Sequence, residues 1–242
     1  MANGPAGALV SFRLPGDLRD VQTRPWSEVD AALLSAAASW RTFRWHRGQK
    51  HYSGTYWSST TRSHVSYESR LELTRLLYAD FDNSVCGIVA QPFLLQKEIS
   101  GRPRKHVPDF LLLTSSGPVV VDVKPQRLLE KPEVAVVLGW TRREVECRGW
   151  RYEVWSEPPR GELETIRFLA GYRREWLFDY ALLAELRAMN LDGISLSEAC
   201  LQLTAWPAAV VRSALLHLLW CRHFLVDLAA PIGPCYVLRT SR

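Results

Sequence analysis

Residues 106–125 read "HVPDFLLLTSSGPVVVDVKP" and contain two apolar runs on either side of "TSSGP". Because that central stretch is built from turn-forming residues, the pattern predicts a β-hairpin. Asp109 stands at the head of the first strand, and Asp122 and Lys124 interrupt the end of the second. Charged side chains in or beside buried strands are costly unless they have partners. The hairpin therefore raises the question of what these three side chains bind.

The geometry of a hairpin suggests an answer. The strand ends that lie far from the turn are close in space, so Asp109 and Asp122 should be neighbours. Asp122 and Lys124 are two residues apart and should point to the same face of the sheet. Two neighbouring carboxylates repel each other unless a cation is present, and oxygen ligands of this kind suit Mg²⁺ or Mn²⁺. We therefore expect one or two ions here, with Lys124 positioning a water molecule for phosphodiester hydrolysis.

A further acidic ligand is available in the stretch "YESRLEL". Glu68 and Glu72 are four residues apart and share one face of a predicted helix. Glu72 lies within the apolar run "LELTRLL", where a carboxylate requires a reason. Glu68 is interpreted as a solvated or helix-supporting residue, with an accessory role in the site as the alternative.

The order of predicted elements indicates an α/β fold with one mixed sheet. Residues 65–157 are predicted to run helix, four strands, helix and strand. Before them, "MANGPAGALV" has the character of a loose tail, and a first helix is predicted over Ser27–Trp40 with Ser27 as its N-cap.

From Leu163 the pattern is almost entirely helical. A capping box is predicted at Ser195 and Glu198, and Pro207 begins the next helix. A hairpin is predicted from "HFLVDL" and "CYVLR", which gives the order of a winged helix-turn-helix. The last helix contains Arg212 as its only Lys or Arg, which favours a protein-docking or packing role over reading of a DNA groove.

Composition limits the functional classes. The 242-residue chain has a formal net charge of +5, which suits a polyanionic partner without identifying one. Its five cysteines form no C-x-x-C pair, so neither a zinc site nor a disulfide framework is indicated. No transmembrane or signal segment is recognisable, and we expect a cytoplasmic protein with no membrane partner.

Together, "SYESRLELTRLLYADFDNSV", "QPF", "RPRKHVPDF" and "VVDVKP" resemble the TnsA family. These proteins are endonuclease subunits of heteromeric transposases and belong to the PD-(D/E)xK nuclease superfamily. The resemblance covers about residues 40–175. It implies a restriction-endonuclease-like core with a mixed sheet, followed by a small winged-helix-like domain. It also implies that Glu72, in the "S-x-x-E" position, is catalytic together with Asp109, Asp122 and Lys124.

The resemblance further implies a domain division and a set of partners. Residues 1–40 would form a tail and helix, 41–175 the endonuclease domain, and 176–242 a partner-docking domain. The expected function is Mg²⁺-dependent cleavage of double-stranded DNA at transposon ends, with Mn²⁺ able to substitute. Expected partners are a DDE-type transposase subunit and an AAA+ ATPase regulator. The alternatives are a nuclease of restriction or repair and a non-catalytic DNA-binding assembly protein.

Basic residues near the predicted site are candidates for DNA contact. One group interleaves with aromatic residues, and a second precedes the first hairpin strand. Solvated turns are the alternative for the second group. Gln91 either points into the site or serves as a turn residue before Pro92, and His106 either contacts DNA or makes a structural hydrogen bond. The candidate DNA-binding residues are Arg41, Arg44, Arg47, Lys50, Arg102, Arg104, Lys105 and His106.

Overall fold

The protein is an α/β protein, as the sequence predicts. The computed structural model describes residues 7–16, 19–41, 52–99 and 101–240. Packing separates these described residues into two compact units. The first unit consists of the residues up to Ala79 together with Ser84–Glu157, and the second of Asp80–Asn83 together with the residues from Pro158 onward.

The first unit holds all the strands that the described residues form. The strands are β1 Leu9–Arg13, β2 Val21–Pro25, β3 Gly54–Ser58, β4 Ser63–Tyr67, β5 Val85–Ala90, β6 Leu94–Ile99, β7 Arg102–His106, β8 Phe110–Thr114, β9 Gly117–Val123 and β10 Arg151–Trp155. The helices of this part of the chain are α1 Ala31–Ser35, α2 Arg70–Phe81, α3 Gln126–Leu129 and α4 Pro132–Glu146. The last residues of α2 count with the second unit.

The predicted hairpin is confirmed and lies in a four-stranded mixed sheet. The strand order is β10-β9-β8-β5, with β10 parallel to β9 and the other pairs antiparallel. Thr114 pairs with Gly117 across the turn, so Ser115 and Ser116 form the loop. Helix α4 connects β9 to β10, as a parallel pair requires a long crossover connection.

The prediction of one sheet is wrong, because β6 and β7 leave the hairpin sheet. They join β1 and β2 in a second antiparallel sheet of order β2-β1-β6-β7, and β3 pairs with β4 alone. Strand β1 provides the partner for β6, since Val10 and Phe12 alternate along it and are buried. The turn that precedes β6 contains Gln91 with a φ of 46°, a left-handed conformation that redirects the chain.

The N-terminal prediction also requires correction. The stretch expected to be a loose tail ends in Leu9 and Val10, the first two residues of β1. The helix expected over Ser27–Trp40 is confined to α1, after a short 3₁₀ turn. Asp30 rather than Ser27 caps this helix, because its side chain accepts the N–H of Leu33 at 2.7 Å. Beyond α1 the backbone of Ala38 instead forms a β-bridge with Arg13.

An apolar cluster packs the two four-stranded sheets of the first unit against α4. It combines β1 with the inner faces of β6, β8 and β9 and with one side of α4. Trp140 of α4 and Leu111 and Val120 of the hairpin are almost completely buried within it. Burial of this kind contributes roughly 25 cal/mol per Å² of apolar surface. The cluster therefore fixes the hairpin that carries the three charged residues.

The second unit is helical among its described residues. Its helices are α5 Arg160–Ala170, α6 Tyr180–Ala188, α7 Leu196–Gln202 and α8 Ala208–Trp220. Helix α5 packs on α8 and belongs to this unit, so the two units divide after Glu157, whereas the domain boundary predicted from the sequence follows residue 175. The capping box of Ser195 and Glu198 at α7 is confirmed.

The hairpin predicted after α8 is reduced to isolated bridges. Phe224 pairs with Thr240, and Ser195 pairs with Val237. The segment between Phe224 and Val237 contains the two prolines of "AAPIGP". Proline has no backbone N–H to donate to a continuous ladder of hydrogen bonds. None of the described helices has both the length and the apolar composition needed to cross a membrane.

Candidate active site

The three charged residues of the hairpin meet at the end opposite its turn. Phe110 pairs with Val121, and continuing this register places Asp109 opposite Asp122. The Nζ atom of Lys124 lies 3.1 Å from Oδ2 of Asp109 and 4.0 Å from Oδ1 of Asp122. The convergence predicted from their spacing is therefore present.

Backbone hydrogen bonds fix Asp109 in this position. Its N–H donates to the carbonyl of Val121 at 3.0 Å, and its Oδ2 accepts the N–H of Val123 at 2.6 Å. Oδ1 of Asp109 makes no hydrogen bond within the described residues. One oxygen of this carboxylate is thus committed to the fold, and the other is available to a ligand.

Asp122 lies at the centre of the site and has no solvent-exposed surface. Nε2 of His106 on β7 lies 2.8 Å from each of its oxygens. The hydroxyl of Tyr152 on β10 donates to Oδ2. A buried carboxylate requires such partners, because leaving it without them costs several kcal/mol. Asp122 is therefore held by side chains from both four-stranded sheets of the first unit.

Glu72 occupies the first turn of α2, where its side chain and backbone both bond to the Ser69 hydroxyl. Ser69 donates its hydroxyl to Glu72 Oε1 at 2.9 Å and accepts the Glu72 N–H at 3.1 Å. Oε2 accepts the N–H of Glu68 at 2.7 Å. Glu72 is 8% exposed, and burial, with the negative charge of Asp109 nearby, raises its pKa to about 7.

The electrostatics of the hairpin residues follow from their mutual contacts. Burial raises the pKa of Asp109 above its ordinary value, and the charge of Asp122 adds to this, although Lys124 opposes it. Burial alone would lower the pKa of Lys124, but Asp109 and Asp122 outweigh it and raise that pKa. The Lys124 ammonium thus contacts Asp109 and Asp122 and also feels the charge of Glu72, so one positive charge faces three carboxylates.

The remaining predicted site residues occupy several positions. Gln91, which is 4% exposed, receives the Ser39 hydroxyl and the Arg41 N–H on its side-chain oxygen, and its own N–H donates to the Asp109 carbonyl at 2.9 Å. It therefore supports the site through the backbone. Glu68 forms an ion pair with Arg41 at 2.8 Å, and its side chain makes no hydrogen bond to the carboxylate cluster in the described part of the chain.

Apart from Arg41, which pairs with Glu68, the residues expected to contact DNA divide into three groups. Arg44, Arg47 and Lys50 lie outside the described residues. On β7, Arg102 and Lys105 are exposed and Arg104 is half-buried. His106 ends the same strand but turns inward to Asp122, with its side chain 12% exposed. The structural hydrogen bond considered for His106 is the one observed.

Tyr152 is the residue that sequence reasoning missed. "RYEVW" alternates as a strand, which predicts β10 but not its neighbour. Only the parallel pairing of β10 with β9, where Tyr152 stands opposite Val120, brings the hydroxyl to Asp122. Periodicity and motifs along the sequence do not indicate which distant strand pairs with β10.

The donor set is chemically suited to a divalent cation. Glu72, Asp109 and Asp122 supply the hard oxygen ligands that Mg²⁺ and Mn²⁺ prefer. Burial first, and a neighbouring carboxylate second, raise the pKa values of Glu72 and Asp109, and a bound cation would stabilise their ionised forms. Within the described residues, however, no group of three or more His, Cys, Asp or Glu side chains is arranged as a ready metal site. The present hydrogen bonds of Asp122 and Glu72 occupy oxygens that would serve as ligands.

Comparison with known proteins adds no identification. No protein-family model matches the chain, and no curated protein matches its sequence.

Proposed function

We propose that this protein is a Mg²⁺-dependent DNA endonuclease, the TnsA-like cleavage subunit of a heteromeric transposase. The observation that carries the proposal is the meeting of Asp109, Asp122 and Lys124 at one end of the hairpin, within electrostatic range of Glu72. A carboxylate cluster with one lysine is the set required for metal-assisted phosphodiester hydrolysis.

Each residue has a distinct role in this proposal. Glu72, Asp109 and Asp122 would hold one or two Mg²⁺ ions, for which Mn²⁺ would substitute. A bound cation supplies Lewis-acid activation of water and neutralises charge on the phosphate. Lys124 orients the attacking water and stabilises the pentavalent phosphate. Its contact with Asp109 keeps the ammonium at the cluster.

The architecture supports the same proposal. A mixed four-stranded sheet that carries the acidic hairpin in its middle is expected of a restriction-endonuclease-like core. The helices α6 to α8 and the bridges that follow them have the order expected of a winged-helix-like domain. Because α8 is largely buried and has Arg212 as its only Lys or Arg, it is poorly suited to read a DNA groove. We therefore propose that this second unit docks on a protein partner, an AAA+ regulator or a DDE-type transposase.

A second candidate is a non-catalytic DNA-binding assembly protein. The observation that favours it is that both oxygens of Asp122 already have hydrogen-bond partners. His106 contacts both oxygens, and the Tyr152 hydroxyl donates a hydrogen bond to Oδ2. A carboxylate that only stabilises the fold would have such partners. The two candidates differ in whether the cluster binds metal and cleaves DNA.

Strand cleavage of a supercoiled plasmid that carries transposon ends separates the candidates. The chain would be assayed with Mg²⁺ or Mn²⁺, alone and together with a co-expressed DDE-type transposase subunit. We expect nicks at the element ends that Asp109→Ala abolishes and that Lys124→Ala reduces about 10²- to 10³-fold. Glu133→Ala and Lys131→Ala, at exposed positions of the same unit, serve as matched controls.

The outcome is informative in each case. Nicks that ignore the element ends would favour a restriction or repair nuclease. The endonuclease proposal is wrong if both site variants cleave as well as the wild type, or if folded wild-type protein fails to cleave in every setting.

A further inference from the structure

We infer that Tyr152 is a positioning residue that holds one oxygen of Asp122 so that the other faces the metal and Lys124. The inference rests on the proposed function and deepens it by adding a residue to the site. It assigns different roles to the two oxygens of one carboxylate, Oδ2 as the anchored atom and Oδ1 as the ligand.

The contacts of Asp122 separate these two oxygens. Oδ2 receives the Tyr152 hydroxyl as well as Nε2 of His106. Oδ1 receives only His106 and is the oxygen that lies 4.0 Å from the ammonium of Lys124. Lys124 in turn contacts Asp109, so Oδ1 is on the side of the carboxylate cluster.

Tyr152 is itself rigidly placed. Its ring belongs to the apolar cluster of the first unit, and the guanidinium of Arg142 lies over it, 5.1 Å from the ring centroid. Pairing of β10 with β9 places Tyr152 opposite Val120 and Val154 opposite Asp122, so the two-residue alternation turns the tyrosine to the face of Asp122. Burial, together with the Asp122 charge, raises the pKa of Tyr152, and the hydroxyl remains a donor.

The physical consequence concerns rotation of the carboxylate. A terminal carboxylate torsion is broad and roughly two-fold, so an unanchored Asp122 would sample orientations that aim neither oxygen at the cluster. His106 approaches both oxygens equally and does not distinguish between them. Tyr152 contacts only one, and it therefore selects the orientation. Partners of this kind typically change metal affinity or activity 10- to 100-fold when they are removed.

Calorimetric titration of the full-length chain with Mn²⁺, after treatment with a chelator, tests this assignment. Tyr152→Phe deletes the hydroxyl and keeps the ring in the core. We expect its Mn²⁺ affinity to fall about 10- to 100-fold. Tyr78→Phe is the matched control, since Tyr78 is a half-buried tyrosine of α2 that packs on the Trp155 ring. Its Mn²⁺ affinity should equal that of the wild type.

Thermal unfolding without metal separates positioning from mere stabilisation. A purely structural hydroxyl would lower the melting temperature of Tyr152→Phe and leave the affinity for Mn²⁺ within about twofold of the wild type. That result overturns the inference alone. Wild-type protein that binds no Mn²⁺, with or without a DNA duplex, overturns the proposed metal site and the inference with it.

Discussion

Glu72 links the chemistry of the site to the stability of the fold. Its pKa of about 7 in the folded protein exceeds the ordinary value of 4.5. Between these two values the folded state binds more protons than the unfolded state. The free energy of unfolding therefore decreases as pH rises through this interval, because ionisation of Glu72 is disfavoured in the fold.

We predict that Glu72→Gln removes this pH dependence. Without metal, the wild type should lose about 1–3 kcal/mol of stability between pH 4.5 and 7.5 relative to the variant. Urea unfolding at a series of pH values, in the presence of a chelator, measures the difference. Glu133→Gln, at an exposed position, is the control. Parallel pH profiles for wild type and Glu72→Gln would contradict the assignment of a raised pKa.

Lys124 provides a second test at this scale. Lys124→Met removes the one ammonium that contacts both Asp109 and Asp122, and leaves their charges without it. Since the lysine is partly exposed, we predict a loss of about 1–3 kcal/mol of stability without metal, less than for a fully buried pair. Added Mn²⁺ should restore part of the loss. Urea unfolding that shows no difference from Lys131→Met would argue against a closely coupled cluster.

The sequence predicts which charged side chains of the hairpin lie close together, but it does not predict the side chain that supports them from another strand. Asp109, Asp122 and Lys124 follow a spacing that pleat geometry converts directly into proximity. Tyr152 depends instead on a parallel strand that lies 30 residues from Asp122 in sequence. Long-range pairings of this kind leave no periodic signal in the chain.

At the scale of elements, the turn of the hairpin sets the register on which the site depends. Gly117 has a φ of 107°, a backbone conformation that L side chains adopt only with strain. It also pairs with Thr114, whose hydroxyl donates to the Gly117 carbonyl at 2.6 Å. The conformation at the turn is thus coupled to the alignment of Asp109 with Asp122 at the other end.

We predict that Gly117→Ala destabilises the protein by about 1–3 kcal/mol. Gly139→Ala in α4 is the control, because its φ is not positive and its added methyl group would meet open space. That variant should gain up to about 1 kcal/mol from helix propensity. Thermal unfolding of both variants measures the contrast, and equal effects would exclude strain at Gly117 as the cause.

Elements with strong local signals were predicted, and elements defined by distant partners were not. The hairpin, α2, α4 and β10 carry clear periodicity or turn residues. The partnership of β1 with β6 has no local signature, which is why the sequence predicted one sheet where the first unit has a separate second sheet. The alanine-rich segment after α1 likewise has helix propensity, but a β-bridge to Arg13 prevails there.

At the scale of the whole molecule, the positive net charge gives the DNA-binding proposal a measurable consequence. Neutralising each phosphate releases counterions, so DNA affinity should fall with salt. Replacing both Arg102 and Lys105, the exposed basic residues of β7, with alanine should reduce the slope of log affinity against log salt by about 2.

The control for that slope is a variant of equal charge loss. Arg160→Ala with Arg167→Ala removes two exposed arginines from α5 in the second unit. Fluorescence anisotropy on a labelled duplex at several salt concentrations compares the two pairs. Equal slopes would mean that net charge, and not the β7 edge near the site, determines binding.

The division into units was only partly visible in sequence. The change of texture near Leu163 marks the start of the helical part, but α5 packs with the second unit, and so do Asp80–Asn83 at the end of α2. Phe81 contacts the Trp220 ring there, with centroids 5.3 Å apart. A contact between residues 139 positions apart has no counterpart in composition or periodicity.

The most direct test of the metal site is an anomalous-scattering map from crystals of the full chain soaked in Mn²⁺. We predict a peak bounded by Glu72, Asp109 and Oδ1 of Asp122, with Oδ2 still bound to Tyr152. A saturating soak that leaves the cluster without a peak, and Asp122 in its present contacts with His106, would contradict it.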